Sequence, residues 1–362
     1  WEHPVPLAKS VGHCLDGAAP IGNCQRLISI LFEKNIRLFS SRETKMLGLM
    51  QDYPLLVQTI LDHAALNHGE REMVTRSVEG PIRRCNYREL RIRALRVAKA
   101  LHKDGIGMGD RVATIAWNTD RHVEVWYGVM GLGAIAHTVN PRLFAEQLIY
   151  IINHAEDKVL FVDLTFVPLV EAIAGKLPSI QKYIILTDEA HMPETSLPNA
   201  HAYETWLAAS DADFAWATFD ENTAAGLCYT SGTTGNPKGV LYSHRSNVLH
   251  SLMCNQPDVL GVDSTDNVLP IVPMFHANAW AITFAIPASG AGLIMPGAGM
   301  DGKSIYELLE AEKVSAAAAV PTVGLGLIQY LADNSLGLPY LHRVIIGGAA
   351  VPRMLIETVE DT

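Results

Sequence analysis

The sequence predicts an α/β protein in which parallel sheets are flanked by helices. Short, continuously apolar runs recur along the chain, as expected for strands that helices bury on both faces. Segments with helical periodicity lie between these runs, which is the alternation that crossover units produce. The chain has 362 residues, 49% of them hydrophobic, which is enough to bury a large core in about two or three structural units.

Residues 1–45 differ from the rest of the chain. Prolines and glycines interrupt any periodicity there, and a run from Arg26 to Phe39 alternates basic and apolar side chains. This run has two interpretations: a targeting helix, against which Glu33 and the long preceding segment count, or part of a poorly ordered tail. We expect residues 1–45 to be an extension outside the main fold, which then begins at Met46.

A first α/β subdomain is predicted for residues 46–210. Helices are expected after Leu55 and after Tyr87, and the second of these ends at a cluster of glycines. The strands that follow are predicted at 111–117, 134–139, 158–163 and 183–187. Helices are expected between them. A polar stretch, 188–220, contains one short helix and marks a soft boundary.

A second subdomain, residues 211–362, is predicted from another apolar series. Its strands are expected at 225–229, 268–272, 292–295, 316–320 and 344–346. Helical patterns at 304–313 and 323–332 lie between the later strands. The repeated alternation of strand and helix again favours a parallel sheet covered by helices.

Charge and cysteine content restrict the class of partner and the location. With a formal net charge of -10, the surface would repel a nucleic-acid backbone, so nucleic acid is not expected as a partner. No apolar run approaches the roughly 18 residues that a bilayer span requires, so we expect no membrane span. The five cysteines include no CxxC pair and predict reduced thiols in a cytoplasmic protein.

The strongest local signal is the segment 229–240, YTSGTTGNPKGV, directly after a predicted strand. Glycine lets backbone amides approach an anion, hydroxyl groups donate further hydrogen bonds, and Lys238 adds a compact positive charge. The segment therefore favours binding of a triphosphate or pyrophosphate, although a flexible Ser/Thr/Gly loop has a similar composition. A Walker A loop is excluded because Pro237 precedes the lysine and Gly239 follows it, where a helix would have to begin.

In residue order this segment resembles the phosphate-binding signature of the adenylate-forming superfamily, which includes acyl-CoA synthetases, luciferases and peptide-synthetase adenylation domains. The resemblance implies that the loop holds the phosphates of ATP while a carboxylate attacks the α-phosphate. It also implies a catalytic role for Lys238. The implied ATP contacts are Thr230, Ser231, Gly232, Thr233, Thr234, Gly235 and Lys238. A Mg²⁺ contact is implied for Thr234.

Two later segments match the same family in the family's order. In 273–280 (PMFHANAW), the resemblance implies a catalytic and substrate-binding role for His276 and acyl-pocket positions for Asn278 and Trp280. Taken alone, these residues are equally consistent with a loop histidine and a core aromatic. In 344–352 (VIIGGAAVP), small residues after a strand leave room for a flat ring, although a tight turn has the same composition. The implied adenine contacts are Gly347, Gly348, Ala349 and Ala350, and Gly347 is also implied to contact the acid.

Within the family, the runs 137–144 (HTVNPRLF) and 148–157 (LIYIINHAED), together with His276 and Trp280, are most similar to bacterial medium-chain fatty-acid CoA ligases and methylthiopropionate CoA ligases. The resemblance covers about residues 46–361. It implies conversion of a carboxylic acid and MgATP to acyl-AMP and pyrophosphate, followed by acyl transfer to coenzyme A. Two alternatives stay open: a nucleotide- or acyl-binding module without turnover, and another adenylate-forming enzyme.

The resemblance also implies that the large N-terminal domain is incomplete and that the small C-terminal domain is absent. In the family, a Tyr-Gly-x-Thr-Glu block with a magnesium-binding glutamate, a ribose-binding aspartate and a catalytic lysine come after the position of Thr362. We therefore expect weak or absent adenylation by this chain alone and an even weaker thioester step. We also expect an unpaired sheet edge near Val344. A homodimer is left open.

Overall fold

The computed structural model describes residues 48, 50, 52–230 and 236–361. The predicted extension, residues 1–45, lies outside the described residues, and so does the centre of the phosphate loop. All helices and strands below belong to one compact unit, Pro54–Thr362. They form two sheets flanked by helices, so the predicted α/β class is confirmed.

The strands in the described part of the chain fall into two sheets. In chain order they are β1 (Glu72–Arg76), β2 (Ile82–Asn86), β3 (Arg111–Ile115), β4 (Ile135–Thr138), β5 (Val159–Val162), β6 (Lys182–Ile185), β7 (Ala200–Ala202), β8 (Ala224–Thr230), β9 (Lys238–Ser243), β10 (Asn267–Pro270), β11 (Gly292–Met295), β12 (Ala316–Ala319) and β13 (Arg343–Ile346). One sheet has the order β7-β6-β5-β3-β4-β8-β9, and the other has the order β13-β12-β10-β11-β1-β2. Neighbouring strands are parallel except in the antiparallel pairs β1–β2 and β8–β9.

The helices of the described residues connect successive strands and cover the sheets. In chain order they are α1 (Val57–Asn67), α2 (Tyr87–Lys103), α3 (Asp120–Gly131), α4 (Ala145–Ala155), α5 (Val167–Ala174), α6 (Tyr203–Ala208), α7 (His244–Cys254), α8 (Ile282–Ser289), α9 (Gly302–Ala311), α10 (Pro321–Asn334) and α11 (Arg353–Asp361). Polar caps at Asn86, Thr119, Ser243 and Asp301 each accept a hydrogen bond from a backbone amide of the first turn. Such caps satisfy donors that a helix leaves unpaired, which explains why four of these helices begin where they do. None of the described helices is long and apolar enough to cross a lipid bilayer.

One large apolar cluster joins the two sheets. It contains residues of the seven-stranded sheet, such as Val112 and Ala136, and residues of the six-stranded sheet, such as Met73 and Leu293. Helix α3 contributes to this cluster and is buried along its whole length, as expected for a helix enclosed by other elements. Because both sheets share this core, a site can be built from the strand ends of both.

The two antiparallel pairs differ from the prediction of parallel sheets throughout. Between β1 and β2 the chain reverses within residues 77–81, where Gly80 has a φ of +119°. Between β8 and β9 it reverses through the predicted phosphate loop. Parallel pairing needs a long crossover connection, and so few residues allow only a hairpin.

Sheet membership does not follow the predicted division into residues 46–210 and 211–362. β1 and β2 pair within the six-stranded sheet beside strands of the later range, and β8 and β9 complete the seven-stranded sheet of the earlier range. Within the described residues, β13 is an edge strand. The polar composition of residues 188–220 indicates a surface excursion but carries no information on long-range pairing. The division into two subdomains therefore stays a prediction, and it does not correspond to the division of the strands into two sheets.

Candidate functional site

A cleft of about 170 Å³ opens at the carboxyl ends of strands from both sheets. Its walls follow β4, β10, β12 and β13 and consist of Asn140, Arg142, Val272, Pro273, Phe275, His276, Trp280, Val320 and Gly348. Open α/β sheets bind their ligands at such strand ends. The cleft brings together three predicted site residues: His276 and Trp280 from one segment, and Gly348 from a distant one.

Trp280 packs against the glycines that follow β13. A Cβ atom added to Gly347 would lie 3.0 Å from Cη2 of the indole and 3.3 Å from Cζ2, so a larger residue requires a shift of the ring. Gly348 has a φ of +83°, a conformation that favours glycine. Ala349 and Ala350, the other predicted adenine contacts, are exposed. Both glycines are therefore needed for the close approach of this turn to Trp280.

The turn that leads through Trp280 has an unusual backbone. The residues of Ala277–Ala281 all have positive φ, from 45° to 59°. A left-handed conformation costs a non-glycine residue roughly 1–2 kcal/mol, and such strain persists only where surrounding contacts hold it. Most of this turn is buried, and the Cys254 thiol donates to the Trp280 carbonyl at 3.8 Å. The conformation of this turn therefore restricts the position of the Trp280 backbone.

Asn118 fixes the loop that leads from β10 to His276. Its side-chain amide donates to the carbonyls of Pro270 and Val272 at 2.8 and 2.9 Å, and its side-chain oxygen accepts from the amide of Met274 at 2.8 Å. The side chain is buried, so these bonds satisfy backbone groups that would be costly to leave unpaired. Because Asn118 follows β3, a residue of the seven-stranded sheet sets the path of a loop of the six-stranded sheet.

The predicted phosphate loop connects β8 and β9, and its two ends are described. Thr230 and Lys238 are direct partners across the antiparallel pair, and the Thr230 hydroxyl donates to the Lys238 carbonyl at 3.5 Å. Both residues are exposed, and Lys238 makes no ion pair with any of the described residues. A strand begins at Lys238 where a Walker A loop would begin a helix. The exclusion of a Walker A loop is therefore confirmed.

The remaining predicted loop residues lie outside the described residues; they are Ser231, Gly232, Thr233, Thr234 and Gly235. Their contacts with ATP, and the Mg²⁺ contact of Thr234, stay predictions. In the part of the chain that the structure describes, no group of three or more His, Cys, Asp and Glu side chains could hold a metal ion. Mg²⁺ is often held by substrate phosphates with only one or two carboxylates, and such an ion needs no larger protein cluster.

Asn278 lies behind the cleft wall and contacts β8. The Cys228 thiol, whose pKa is raised by burial, donates to Asn278 Oδ1 at 3.3 Å and lies 3.2 Å from the Thr138 hydroxyl. A Cβ atom on Gly226 would lie 3.1 Å from Asn278 Nδ2. The side chain therefore joins the left-handed turn to the strand that enters the phosphate loop. A direct contact between Asn278 and a substrate stays a prediction.

Comparison with known families accounts for this combination of features. Residues 61–362 match the family described as AMP-binding enzyme. This chain belongs to the AMP-binding enzyme family. The three segments that resemble adenylate-forming enzymes, 229–240, 273–280 and 344–352, all lie within the matched range.

Relatives in this AMP-binding family match the chain over most of its length. The 3-methylmercaptopropionyl-CoA ligase of Ruegeria lacuscaerulensis is 45% identical over 316 residues, which are 87% of this chain and 59% of the relative. The medium-chain fatty-acid CoA ligase of Ectopseudomonas oleovorans is also 45% identical over 316 residues, 87% of this chain and 58% of the relative. The long-chain fatty-acid CoA ligase of Thermus thermophilus is 44% identical over 311 residues. The chain spans less than two thirds of the length of these relatives.

Solved structures share the fold. The N-terminal domain of FACL13 from Mycobacterium tuberculosis, solved with an inhibitor bound, superposes with a TM-score of 0.73 at 26% identity and covers 84% of this chain and 73% of that one. The anthranilate CoA ligase AuaEII in complex with anthranoyl-AMP gives a TM-score of 0.76 at 22% identity and covers 86% of this chain and 58% of that one. The two-sheet arrangement described here is therefore the fold of this enzyme family.

Sequence reasoning assigns no site role to several residues that shape the cleft. Arg142, Phe275 and Val320 line it, and Asn118 holds one of its loops. Arg142 and Asn118 carry a usable signal, since each lies shortly after a buried strand, where site residues of parallel sheets gather. The approach of the Arg142 guanidinium to within 6.0 Å of the Phe275 ring centroid joins two distant segments and has no local signal.

Proposed function

We propose that this chain carries the ATP- and acid-binding part of an acid–thiol ligase that activates a medium-chain fatty acid or a similar carboxylic acid. The observation that carries this proposal is the cleft at the strand ends of both sheets, where His276, Trp280 and Gly348 meet. The names of the relatives that are 45% identical to the chain support the same reaction class.

The cleft suits an acid with an apolar chain. Val272, Phe275, Trp280 and Val320 provide apolar walls, and burying apolar surface contributes about 25 cal/mol per Å². The exposed guanidinium of Arg142 and the imidazole of His276 lie on the same lining. These polar groups can orient the carboxylate while the chain enters the apolar part. Octanoate and 3-methylthiopropionate both fit this description.

ATP is proposed to bind with its phosphates at the β8–β9 loop and its adenine beside Gly347–Ala350. Lys238 fits this role because its exposed ammonium group has no ion-pair partner among the described residues. A carboxylate oxygen then forms a bond to the α-phosphorus, and pyrophosphate leaves. Lys238 compensates part of the negative charge on the phosphates during this step. Mg²⁺, for which Thr234 is the proposed contact, would supply further neutralisation of phosphate charge.

Coenzyme A is proposed as the second substrate. In this step the sulfur of the thiol bonds to the carbonyl carbon of the acyl-AMP, and AMP leaves. The relatives' names support a CoA ligase. The thiol would have to approach the carboxyl end of the acid. We propose that this end lies beside His276 on the cleft wall, near the left-handed turn.

ATP–pyrophosphate exchange tests the proposal. It is measured with octanoate and with 3-methylthiopropionate, on the 362-residue chain and on the chain lengthened to the natural stop codon. We expect acid-dependent exchange by the longer chain, and ATP binding with little exchange by this chain. Trp280→Ala in the longer chain should raise the KM for the acid more than the KM for ATP.

The other outcomes of this experiment decide between the remaining functions. If both chains bind ATP but neither exchanges label with any acid, a nucleotide-binding module without turnover is favoured. If neither chain binds ATP, the proposed function is wrong. Exchange with an amino acid or an aryl acid, but not with an aliphatic acid, would favour another adenylate-forming enzyme.

A cytoplasmic location and a homodimer are further proposals. Cys85, Cys228 and Cys254 carry free thiols, which supports a reducing compartment. Sedimentation of the purified chain at several concentrations tests the homodimer. Cell fractionation tests the location.

A further inference from the structure

We propose that His137 and Asp157 are positioning residues for the phosphate loop and act through Tyr229. Tyr229 lies on β8 immediately before Thr230, the first predicted phosphate contact. β4 and β8 are neighbours, with His137 opposite Leu227. That the loop binds ATP rests on the proposed function, whereas the contacts among His137, Asp157 and Tyr229 are observed in the structure.

His137 and Asp157 form a buried pair beside β8. His137 Nδ1 lies 2.7 Å from Asp157 Oδ2, and both side chains are 0% exposed. Burial raises the pKa of Asp157, and the neighbouring imidazole opposes this rise. A buried ion pair is weak support for stability because desolvation offsets the attraction. Its more specific effect is geometric, since the hydrogen bond fixes the plane of the imidazole ring.

The imidazole of His137 in turn packs against Tyr229. The two ring centroids are 5.2 Å apart at an interplanar angle of 49°. Contacts of this kind contribute a preferred geometry in addition to apolar burial. The ring of Tyr229 is therefore held on one side by a side chain whose own orientation is fixed by Asp157.

The hydroxyl of Tyr229 is held separately, by α4. Burial raises the pKa of Tyr229 to about 12, so the hydroxyl keeps its proton at neutral pH. It forms a hydrogen bond with His154 Nδ1 at 2.7 Å, and the His154 ring stacks on Tyr150 with centroids 5.3 Å apart. Two independent contacts thus fix the ring and the hydroxyl of the residue that precedes the loop.

The consequence concerns the direction in which β8 enters the loop. Thr230 is exposed, and its described hydrogen bond with Lys238 is long, at 3.5 Å. The Thr230 side chain therefore adds little to the pairing of this strand end with β9. Tyr229 directly precedes Thr230, and its side chain contacts both His137 and His154, so its position sets the direction in which Thr230 enters the loop.

Hydrogen exchange and ATP binding test the proposal in the purified chain. Tyr229→Phe removes the hydroxyl, His137→Phe keeps a ring but removes the partner of Asp157, and His137→Asn keeps a donor but removes the ring. We expect exchange of the amides at the ends of β8 and β9 to accelerate about 2- to 10-fold, with β3 and β5 unchanged. ATP Kd should rise by a similar factor, while the Kd for the acid should change less.

Tyr242→Phe is the matched control. Tyr242 lies on β9 of the same hairpin and is half-buried, and its hydroxyl has no hydrogen-bond partner among the described residues. This variant should leave both the exchange rates and ATP Kd unchanged. Asp188→Asn provides a second control, because the His191–Asp188 pair has the same 2.7 Å separation but is exposed.

The outcomes separate three cases. If exchange accelerates only at the ends of β8 and β9, the positioning role holds even if the unaltered chain binds no ATP, and only the proposed function fails. If exchange accelerates across the whole seven-stranded sheet, or Kd for ATP and acid rise in parallel, the pair supports the fold in general and the positioning role is wrong. Unchanged exchange in Tyr229→Phe and both His137 variants also overturns it.

Discussion

Two regions of the proposed site are built in opposite ways: an acid side, which is the cleft wall from β10 to Trp280, and a nucleotide side, which is the loop between β8 and β9. On the acid side, the loop from β10 to Trp280 is mostly buried, strained in its backbone and held by three side-chain hydrogen bonds of Asn118. On the nucleotide side, the described ends of the phosphate loop, Thr230 and Lys238, are exposed, and the side-chain hydrogen bond between them is long. Contacts within the protein therefore complete the wall of the proposed acid pocket, whereas Thr230 and Lys238 stay accessible to the proposed ligand.

The largest effect is expected on the acid side, from Asn118→Ala. This change leaves the carbonyls of Pro270 and Val272 and the amide of Met274 without their partner in a buried site. Unsatisfied buried groups cost about 1–3 kcal/mol each, so we expect a loss of at least about 3 kcal/mol in the free energy of unfolding. Urea denaturation measures it.

Asn334→Ala is the control for this prediction. Asn334 makes one exposed hydrogen bond, from Nδ2 to the Tyr330 carbonyl at 2.8 Å, and its loss should cost less than about 0.5 kcal/mol. Similar costs for the two variants would show that Asn118 is not a special constraint and would remove the contrast between the two sides.

The second effect is expected at the turn that packs against Trp280, from Gly347→Ala. The new methyl group would lie 3.0 Å from the Trp280 ring, and overpacking of this kind costs about 1–3 kcal/mol. We expect weaker binding of the acid, measured by titration of the chain with octanoate. Gly337→Ala is the control, because a Cβ atom there meets nothing within 4 Å. Unchanged affinity in Gly347→Ala would place the acid away from this turn.

The third effect is expected on the nucleotide side, from Lys238→Gln. Removal of an exposed charge should change the free energy of unfolding by less than about 0.5 kcal/mol. ATP Kd should rise about 10-fold, which corresponds to about 1.4 kcal/mol. Lys303→Gln, another exposed lysine, should leave both quantities unchanged. A large loss of stability in Lys238→Gln, with no change in ATP Kd, would show that Lys238 supports the fold and does not bind ATP.

A further effect depends on pH and concerns the support of Asn118. The backbone amide of Trp117 donates to Asp163 Oδ2 at 2.6 Å, and burial raises the pKa of Asp163 to about 7 from its ordinary 3.8. Between about pH 4 and pH 7 the folded chain keeps a proton that the unfolded chain releases, so this group makes stability fall as pH rises through that window.

Asp163→Asn should remove this contribution, which amounts to at most about 1.4 kcal/mol per pH unit. The comparison is made as the difference in free energy of unfolding between variant and unaltered chain at each pH. This difference is needed because other groups also make the stability depend on pH. Burial lowers the pKa values of His122 and His244 to about 4, so these two residues make the free energy of unfolding decrease as pH falls. A difference that does not vary between pH 4 and pH 7 would contradict the prediction.

Local elements of the fold were predictable because their signals are local. The apolar runs at 111–117 and 158–163 contain β3 and β5, found at Arg111–Ile115 and Val159–Val162. The sheet to which each strand belongs could not be predicted from such local signals. The pairing of β1 with β11 joins Met73 to Leu293, and no pattern in either segment identifies its partner. The boundary near residue 210 therefore describes composition rather than topology.

The same distinction applies to the candidate site. The motifs identified His276, Trp280 and Gly348, and the structure brings them to one cleft. The left-handed turn was not predictable, because 277–281 contains no glycine to indicate positive φ. The direction of Asn278 toward Cys228 depends on how the two sheets pack. Motifs therefore provide candidate site residues, whereas tertiary contacts determine the direction in which each side chain points.

The antiparallel pairing of β8 and β9 links the number of residues in the loop between them to the face of the sheet on which Lys238 lies. Residues 231–237 connect Thr230 and Lys238, which face each other across the pair. Successive residues of a strand point to opposite faces of the sheet, so a slip of one residue would turn Lys238 to the other face. Substitutions within the loop leave this pairing unchanged, whereas an insertion or deletion that shifts the pairing by one residue would move Lys238 from one face of the sheet to the other.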